Sequence, residues 1–138
     1  MPVIYKSFQS VLANKEGKKL FYPRVVLTGN VDTEQVAKEI AELSSLSTGD
    51  SKNVIDNLVT VMTRHLQSSE SVPLDGLGTF RLTMKSTMNG VEDPLKVSAT
   101  QSTLRVRFLP TSKRNLDHTV STRSLVTGVK CVRFDLQD

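Results

Sequence analysis

Two glycines one residue apart, Gly76 and Gly78, interrupt the stretch "VPLDGLGTFRLTM" (72–84), which otherwise reads as a β-strand. Val72, Leu74 and Leu77 lead in. Beyond the glycines, Phe80, Leu82 and Met84 alternate with Thr79, Arg81 and Thr83, the period-two pattern of a strand with one apolar face. Glycine weakens a strand interior and is kept where the backbone must turn sharply or another segment comes close. The strand pattern runs on past the glycines to about Ser86. Any fold for this chain has to account for the flexible residue occurring twice in three positions.

Two helices are predicted before this stretch. In "VDTEQVAKEIAEL", Asp32 is a good N-cap and Gln35 completes a capping box. Val36, Ala37, Ile40, Ala41 and Leu43 form the apolar face, with Lys38, Glu39 and Glu42 outside. Ser47 followed by Asp50 caps a second helix that runs to about Gln67. Its stripe of Val54, Ile55, Leu58, Val59, Met62 and Leu66, widened by Val61, makes it the spine of the core. Upstream, residues 3–13 and 19–27 read as a hairpin, with Pro23 confined to an edge or a bulge. Downstream, "NG" (89–90) offers a turn and strand character resumes over 95–109. In "TLRVRFLP", Leu104, Val106 and Phe108 face one way and Arg105 and Arg107 the other, and Pro110 ends the strand. "TSKRNLDH" (111–118) is predicted as a short helix capped by Thr111 or Ser112, and "VKCVRFDL" (129–136) as a final strand.

At 138 residues the chain is one domain's worth, or a small domain with extended ends. Only 38% of it is apolar, 5% is aromatic and tryptophan is absent, a thin core of the kind that a second subunit completes. Charge is unevenly spread. Residues 31–80 carry a net charge of about −5, whereas residues 81–133 carry about +7. A basic half beside an acidic half points to a polyanion partner on one side. Cys131 is the only cysteine, so no intramolecular disulfide is possible and a reducing compartment is expected. No apolar run exceeds three residues, which argues against a membrane span or a secretory signal core. The expectation is a soluble, cytoplasmic protein.

Several chemistries are disfavoured by the same residues. A helix-turn-helix reader would need base-contacting side chains at the start of its second helix, but here that region offers Asp50, Ser51, Lys52, Asn53 and Asp56. Gly76-Leu77-Gly78 leads into a strand and not a helix, and no Gly-Lys-Ser/Thr follows, so a nucleotide loop is not expected. His65, His118 and Cys131 have no metal-ligand spacing. Asp75 is a turn former, and no nucleophile, base and orienting group can be assembled. No catalytic residue, metal, cofactor or small-molecule substrate is expected, and the chain reads as a non-enzyme.

The order of elements, and above all "GLGTFRL" (76–82), resembles the bacterial histone-like HU and integration host factor family, whose signature is Gly-Phe-Gly-Thr-Phe. "GDSKNVIDNLVTVMTRHL" (49–66) and "VRFLPTSK" (106–113) are similar to its second helix and the end of its returning arm. The ends, with "KKLFYPRVV" in front, look like those of longer HU-like variants. The resemblance implies an α+β fold: a two-helix base, an antiparallel β-saddle with arms, an intertwined homodimer and extra terminal strands. It divides the chain into an N-terminal β extension (1–31), an HU-like DNA-binding domain (32–118) and a C-terminal strand extension (119–138). It also implies binding of double-stranded DNA with little sequence preference and DNA condensation in the bacterial nucleoid. Arg81, Lys85, Lys96, Arg105, Arg107, Lys113 and Arg114 would line the groove, with Gly76 and Gly78 at a strand corner near DNA. Leu58, Met62, Leu77, Phe80, Val106 and Phe108 would form the dimer core. The family's arm tip is Arg-Asn-Pro, whose proline wedges between base pairs. Here "STMNGVEDPLK" (86–96) stands in its place with Glu92 and Asp93, leaving Pro94 or Met88 as replacement wedges. The other reading is an HU-like scaffold turned to protein interaction or assembly, which the altered tip and terminal strands favour. RNA binding is a third, weaker option.

Overall fold

The computed structural model describes residues 2–134, a mixed α+β chain that divides into two compact units. One is built from both chain ends, up to Asp32 and from Gly128 on; the other is Thr33–Thr127.

In the terminal unit, β1 (Val3–Ala13) and β2 (Lys19–Val25) form the expected hairpin. Asn14 closes its turn, its side-chain oxygen accepting from the amides of Glu16 (3.0 Å) and Lys18 (2.9 Å). Pro23 sits on β2, an edge strand, where its missing N–H costs no ladder bond. Near the chain's end a short strand, Cys131–Arg133, lies parallel to β1, with Cys131 beside Val3 and Arg133 beside Tyr5. It is shorter than the predicted 129–136 segment, of which residues 135–136 lie outside the described residues. Across the hairpin Phe8 opposes Tyr22, and the Arg24 guanidinium stacks on Phe8 at 4.4 Å.

The second unit opens with α1 (Thr33–Leu43) and α2 (Thr48–Gln67). The expected capping box of α2 is formed: the Asp50 amide donates to Ser47 Oγ (3.1 Å) and the Ser47 amide to Asp50 Oδ2 (3.2 Å). The most buried residues are small, Ala37 on α1 and Ser51 on α2, the side chains that allow two packed helices to approach closely. Ser51 satisfies its hydroxyl on the Ser47 carbonyl (3.0 Å). Leu66 is the large apolar residue that is buried. Val36, Ile40, Val54, Leu58, Val59 and Val61 remain 39–60% exposed. Within one chain, the spine of the core is half bare.

At the glycines the chain reverses, where the family resemblance implies a corner. β3 (Val72–Leu74) pairs antiparallel with β4 (Gly78–Ser86), Val72 opposite Phe80 and Leu74 opposite Gly78. The turn between them is closed by the Leu77 amide on the Leu74 carbonyl (3.0 Å), with Gly76 at φ +82°. β4 then pairs along its whole length with β5 (Ser102–Pro110), from Gly78 opposite Pro110 to Ser86 opposite Ser102. The strand predicted from residue 95 begins only at Ser102. Residues 94–96 and 99–101 are single 3₁₀ turns instead. Asp93 caps the first on the Leu95 amide (3.0 Å), and Ser98 with Gln101 forms a capping box on the second. Such local bonds compete successfully with a ladder in a short polar segment.

The helix predicted over 111–118 is also replaced. β6 (Ser112–Arg114) and β7 (Val120–Arg123) make an antiparallel hairpin. Its tip is held by the Asp117 carboxylate, which accepts from the Thr119 amide (3.0 Å) and hydroxyl (2.6 Å), and by the Asn115 amide on the Thr119 carbonyl (2.8 Å). Asp and Asn tolerate tight turns, and here that chemistry wins over helix capping. Because β7 pairs with β6, this unit reaches Thr127, past the boundary at 118 expected from the sequence. The short C-terminal strand (Cys131–Arg133) is β8. Among the described residues, no helix is long and apolar enough to cross a membrane.

Candidate nucleic-acid interface

The register of β4 against β5 decides which side chains share a face. Arg81 stands opposite Arg107, Thr83 opposite Arg105 and Lys85 opposite Thr103. Since successive residues alternate, these form one face of the ribbon. The reverse face pairs Phe80 with Phe108, Leu82 with Val106 and Met84 with Leu104. The two phenylalanine rings lie 4.8 Å apart at 33°.

Arg81, Lys85, Arg105 and Arg107 are all exposed. Among the described residues none of them has a carboxylate oxygen within 4.0 Å, and the ion pairs lie elsewhere, at Lys18–Glu16, Lys52–Asp56 and His65–Glu70. Like charges directly opposite on a sheet are mutually destabilising. A face that keeps such a pair without a counter-charge is organised to receive an anion, and its repeat of cations along the strands suits a polyanion.

The other expected groove residues are not on this face. Lys96 lies in the first 3₁₀ turn at the far end of the ribbon, and Lys113 and Arg114 lie on β6 in the separate hairpin. The Arg114 guanidinium reaches the His118 carbonyl at 3.4 Å. Thr83 and Thr103, whose hydroxyls share the cationic face, and Arg123 on β7 are absent from the groove expected from sequence. The two threonines become visible only with the cross-strand register, which one strand's alternation does not contain. Arg123 could have been found in the alternation of Val120 and Thr122 with Ser121 and Arg123.

The two glycines have different duties. Gly76 has open space around its Cβ position and is needed for its φ of +82°. Gly78 is needed for close approach: a Cβ there would collide with the Leu109 carbonyl oxygen and lie 2.5 Å from Phe108 Cε2. The expectation that the reverse of the arginine strand is core needs correction for a single chain. Val106, Leu104 and Met84 are 61–63% exposed there. Leu58 is likewise exposed, while Met62, Leu77, Phe80 and Phe108 are half-buried.

Hydrogen bonds from Thr119, through its hydroxyl first and then its amide, hold the Asp117 carboxyl below the usual carboxylate range, and Ser47 does the same for Asp50. Among the described residues no group of three or more His, Cys, Asp or Glu side chains could hold a metal ion.

Two helices, the second capped by Ser47 and Asp50, feeding a glycine turn and then a β4–β5 ribbon with a cationic and an apolar face define an HU-type α+β architecture. The chain belongs to the HU-HIG family, described as an HU domain fused to wHTH, Ig, or Glycine-rich motif, whose model matches residues 1–125. It is similar in structure to a candidate bacterial DNA-binding protein from Bacteroides vulgatus, with 14% identity and a TM-score of 0.57, over 96% of this chain and 48% of that one. The present chain thus spans about half the length of that protein. The HU of an Anabaena HU–DNA cocrystal structure aligns over 56% of this chain and 86% of its own, with 18% identity and a TM-score of 0.45. No curated protein matches.

Proposed function

We propose that this chain is an architectural DNA-binding protein of the HU type. It would bind duplex DNA through the β4–β5 ribbon, with little sequence preference, as a homodimer in the bacterial nucleoid. The observation that carries this reading is the Arg81–Arg107 pair, flanked by Arg105 and Lys85, with no carboxylate partner among the described residues. The family membership and the description of the Bacteroides vulgatus protein as DNA-binding support it. Affinity comes from phosphate neutralisation by arginine and lysine, and the threonines between them add hydroxyl donors. The DNA-binding body is the Thr33–Thr127 unit, with the terminal sheet as an extension of it.

The dimer follows from the other face of the same strands. Met84, Leu104 and Val106 on the ribbon, and Val54, Leu58, Val59 and Val61 on α2, are large apolar side chains left exposed in the single chain. A second copy of the chain covers them and brings two cationic ribbons into one assembly. The arm tip carries capped 3₁₀ turns with Glu92 and Asp93 beside Pro94, so no wedging step is part of this reading.

Gel shifts with unrelated duplexes over a salt series test it. Similar affinities that fall linearly with the logarithm of salt concentration support backbone binding; absence of any duplex complex at low salt overturns it. In that second case the assembly reading takes over, favoured by the apolar sheet face of Val3, Tyr5, Pro23 and Val25 in the terminal unit.

A further inference from the structure

We propose that the β6–β7 hairpin is a second duplex-DNA contact, gripping phosphates beyond those held by the β4–β5 ribbon on the side of the ribbon's root. This rests on the duplex-binding reading above, and extends it to an element that replaces a predicted helix.

Three observations carry it. The hairpin is strongly basic: Lys113, Arg114 and Arg123 stand on its two strands, against Asp117 at its tip. That single carboxylate is already engaged by Thr119, and among the described residues neither Lys113, Arg114 nor Arg123 has a carboxylate within 4.0 Å. All three cations are exposed. With Arg123 opposite Ser112, two residues before Arg114, the two arginines share one face of the hairpin, and Lys113, opposite Thr122, lies on the other.

The second observation is the anchorage. The Leu77 carbonyl accepts from both the Thr111 amide (3.2 Å) and the Ser124 hydroxyl, and the Ser124 amide donates to the Thr111 carbonyl (2.7 Å). Both stems of the hairpin are therefore tied to each other and to the turn from which β4 starts. A charged ribbon held at its base is a defined surface, unlike a solvated tail.

The third is its position along the arm. Gly78 and Pro110 mark the root of the β4–β5 ladder, and Ser86 and Ser102 its far end. The hairpin follows directly on the root, so its cations extend the basic track away from the tip. A duplex held by the arm and touched by this ribbon is gripped over a longer stretch than the arm alone spans. The backbone is the natural target, because Lys and Arg on a short ribbon neutralise phosphates whatever the sequence.

The test compares the full chain with Arg123→Ala, a cation of the two-arginine face, on nested duplexes of about one to about four helical turns. Among the described residues the Arg123 side chain makes no hydrogen bond, so the hairpin should fold, and an unchanged melting curve checks this. For wild type the salt dependence should steepen with duplex length and then level off. For the variant it should match wild type on the shortest duplex and level off lower on the longest, by about 0.9 for each phosphate that is no longer neutralised. Arg123→Lys should keep the wild-type plateau. Equal slopes for wild type and the alanine variant at every length overturn the proposal while leaving arm binding intact. No duplex binding by wild type overturns both readings. A weaker slope with the alanine variant, but no change when the arm arginines are removed, keeps the hairpin's role and removes the arm's.

Discussion

Arg81 and Arg107 stand directly opposite one another across the β4–β5 ladder, two guanidinium groups on one face with no carboxylate beside them among the described residues. Their repulsion is a cost that the folded ribbon carries when free, and that a bound polyanion removes. Arg81→Ala should therefore hold or slightly raise the melting temperature of the free protein, by up to about 1 kcal/mol of stability. It should also reduce the extra stability gained from adding duplex DNA. Melting curves with and without DNA check both signs. A variant that is less stable when free and equally stabilised by DNA contradicts the role given to this pair.

The two glycines should respond differently. Gly76→Ala places a side chain in open space at positive φ and should cost about 1 kcal/mol. Gly78→Val drives its side chain into the Leu109 carbonyl and the Phe108 ring, and should cost about 3 kcal/mol or prevent folding. Chemical denaturation of both variants checks the order. Equal effects would mean that Gly78 is not a close-approach position.

In the proposed homodimer an exposed valine behaves like a buried one. Val106 is 61% exposed in the single chain, where Val106→Lys would be nearly neutral. Inside a homodimer interface the same change should lower stability severely and yield monomers by light scattering. The wild-type melting temperature should rise with protein concentration. A wild-type monomer at low micromolar concentration with full helical circular dichroism contradicts the dimer.

The cap of α2 gives a pH-dependent prediction. Ser47→Ala removes the hydroxyl that the Asp50 amide uses and should cost about 1 kcal/mol. The Asp50 carboxyl is held below its usual range by Ser47, so it stabilises the folded state where it is charged in both states. That contribution is complete above the ordinary carboxylate range and is lost as pH falls through the lowered folded value. The gap in stability between wild type and Ser47→Ala should therefore narrow as the solution is acidified. A gap that widens would contradict the assignment.

Local structure was legible in the sequence wherever a residue's own chemistry decided it. The Ser47/Asp50 box, the α2 helix and the alternation of Arg105 and Arg107 with Leu104, Val106 and Phe108 are properties of single segments, and all are realised in the structure, although most of the α2 stripe stays exposed in the single chain. What depended on pairing was harder to read. That Val72 would fold back onto Phe80 requires knowing that the chain reverses at Gly76, and a corner predicts the same glycines. Thr111 or Ser112 could cap a helix on local grounds, but pairing of Ser112 with Arg123 outweighs a short helix of few residues. The grouping of Arg81 with Arg107 is likewise set by register between strands more than twenty residues apart. The basic character of residues 81–133 was plain, but its division between an arm and a hairpin was not.

Binding of duplex DNA by the β4–β5 cationic face, through phosphates, stands or falls on the salt dependence of affinity for Arg105→Ala/Arg107→Ala. Both side chains project from the exposed face, so the fold should be kept. In a homodimer up to four phosphate interactions disappear, and the slope of log affinity against log salt should flatten by about 0.9 for each of them, equally on unrelated sequences. An unchanged affinity and slope would take this face out of the binding site.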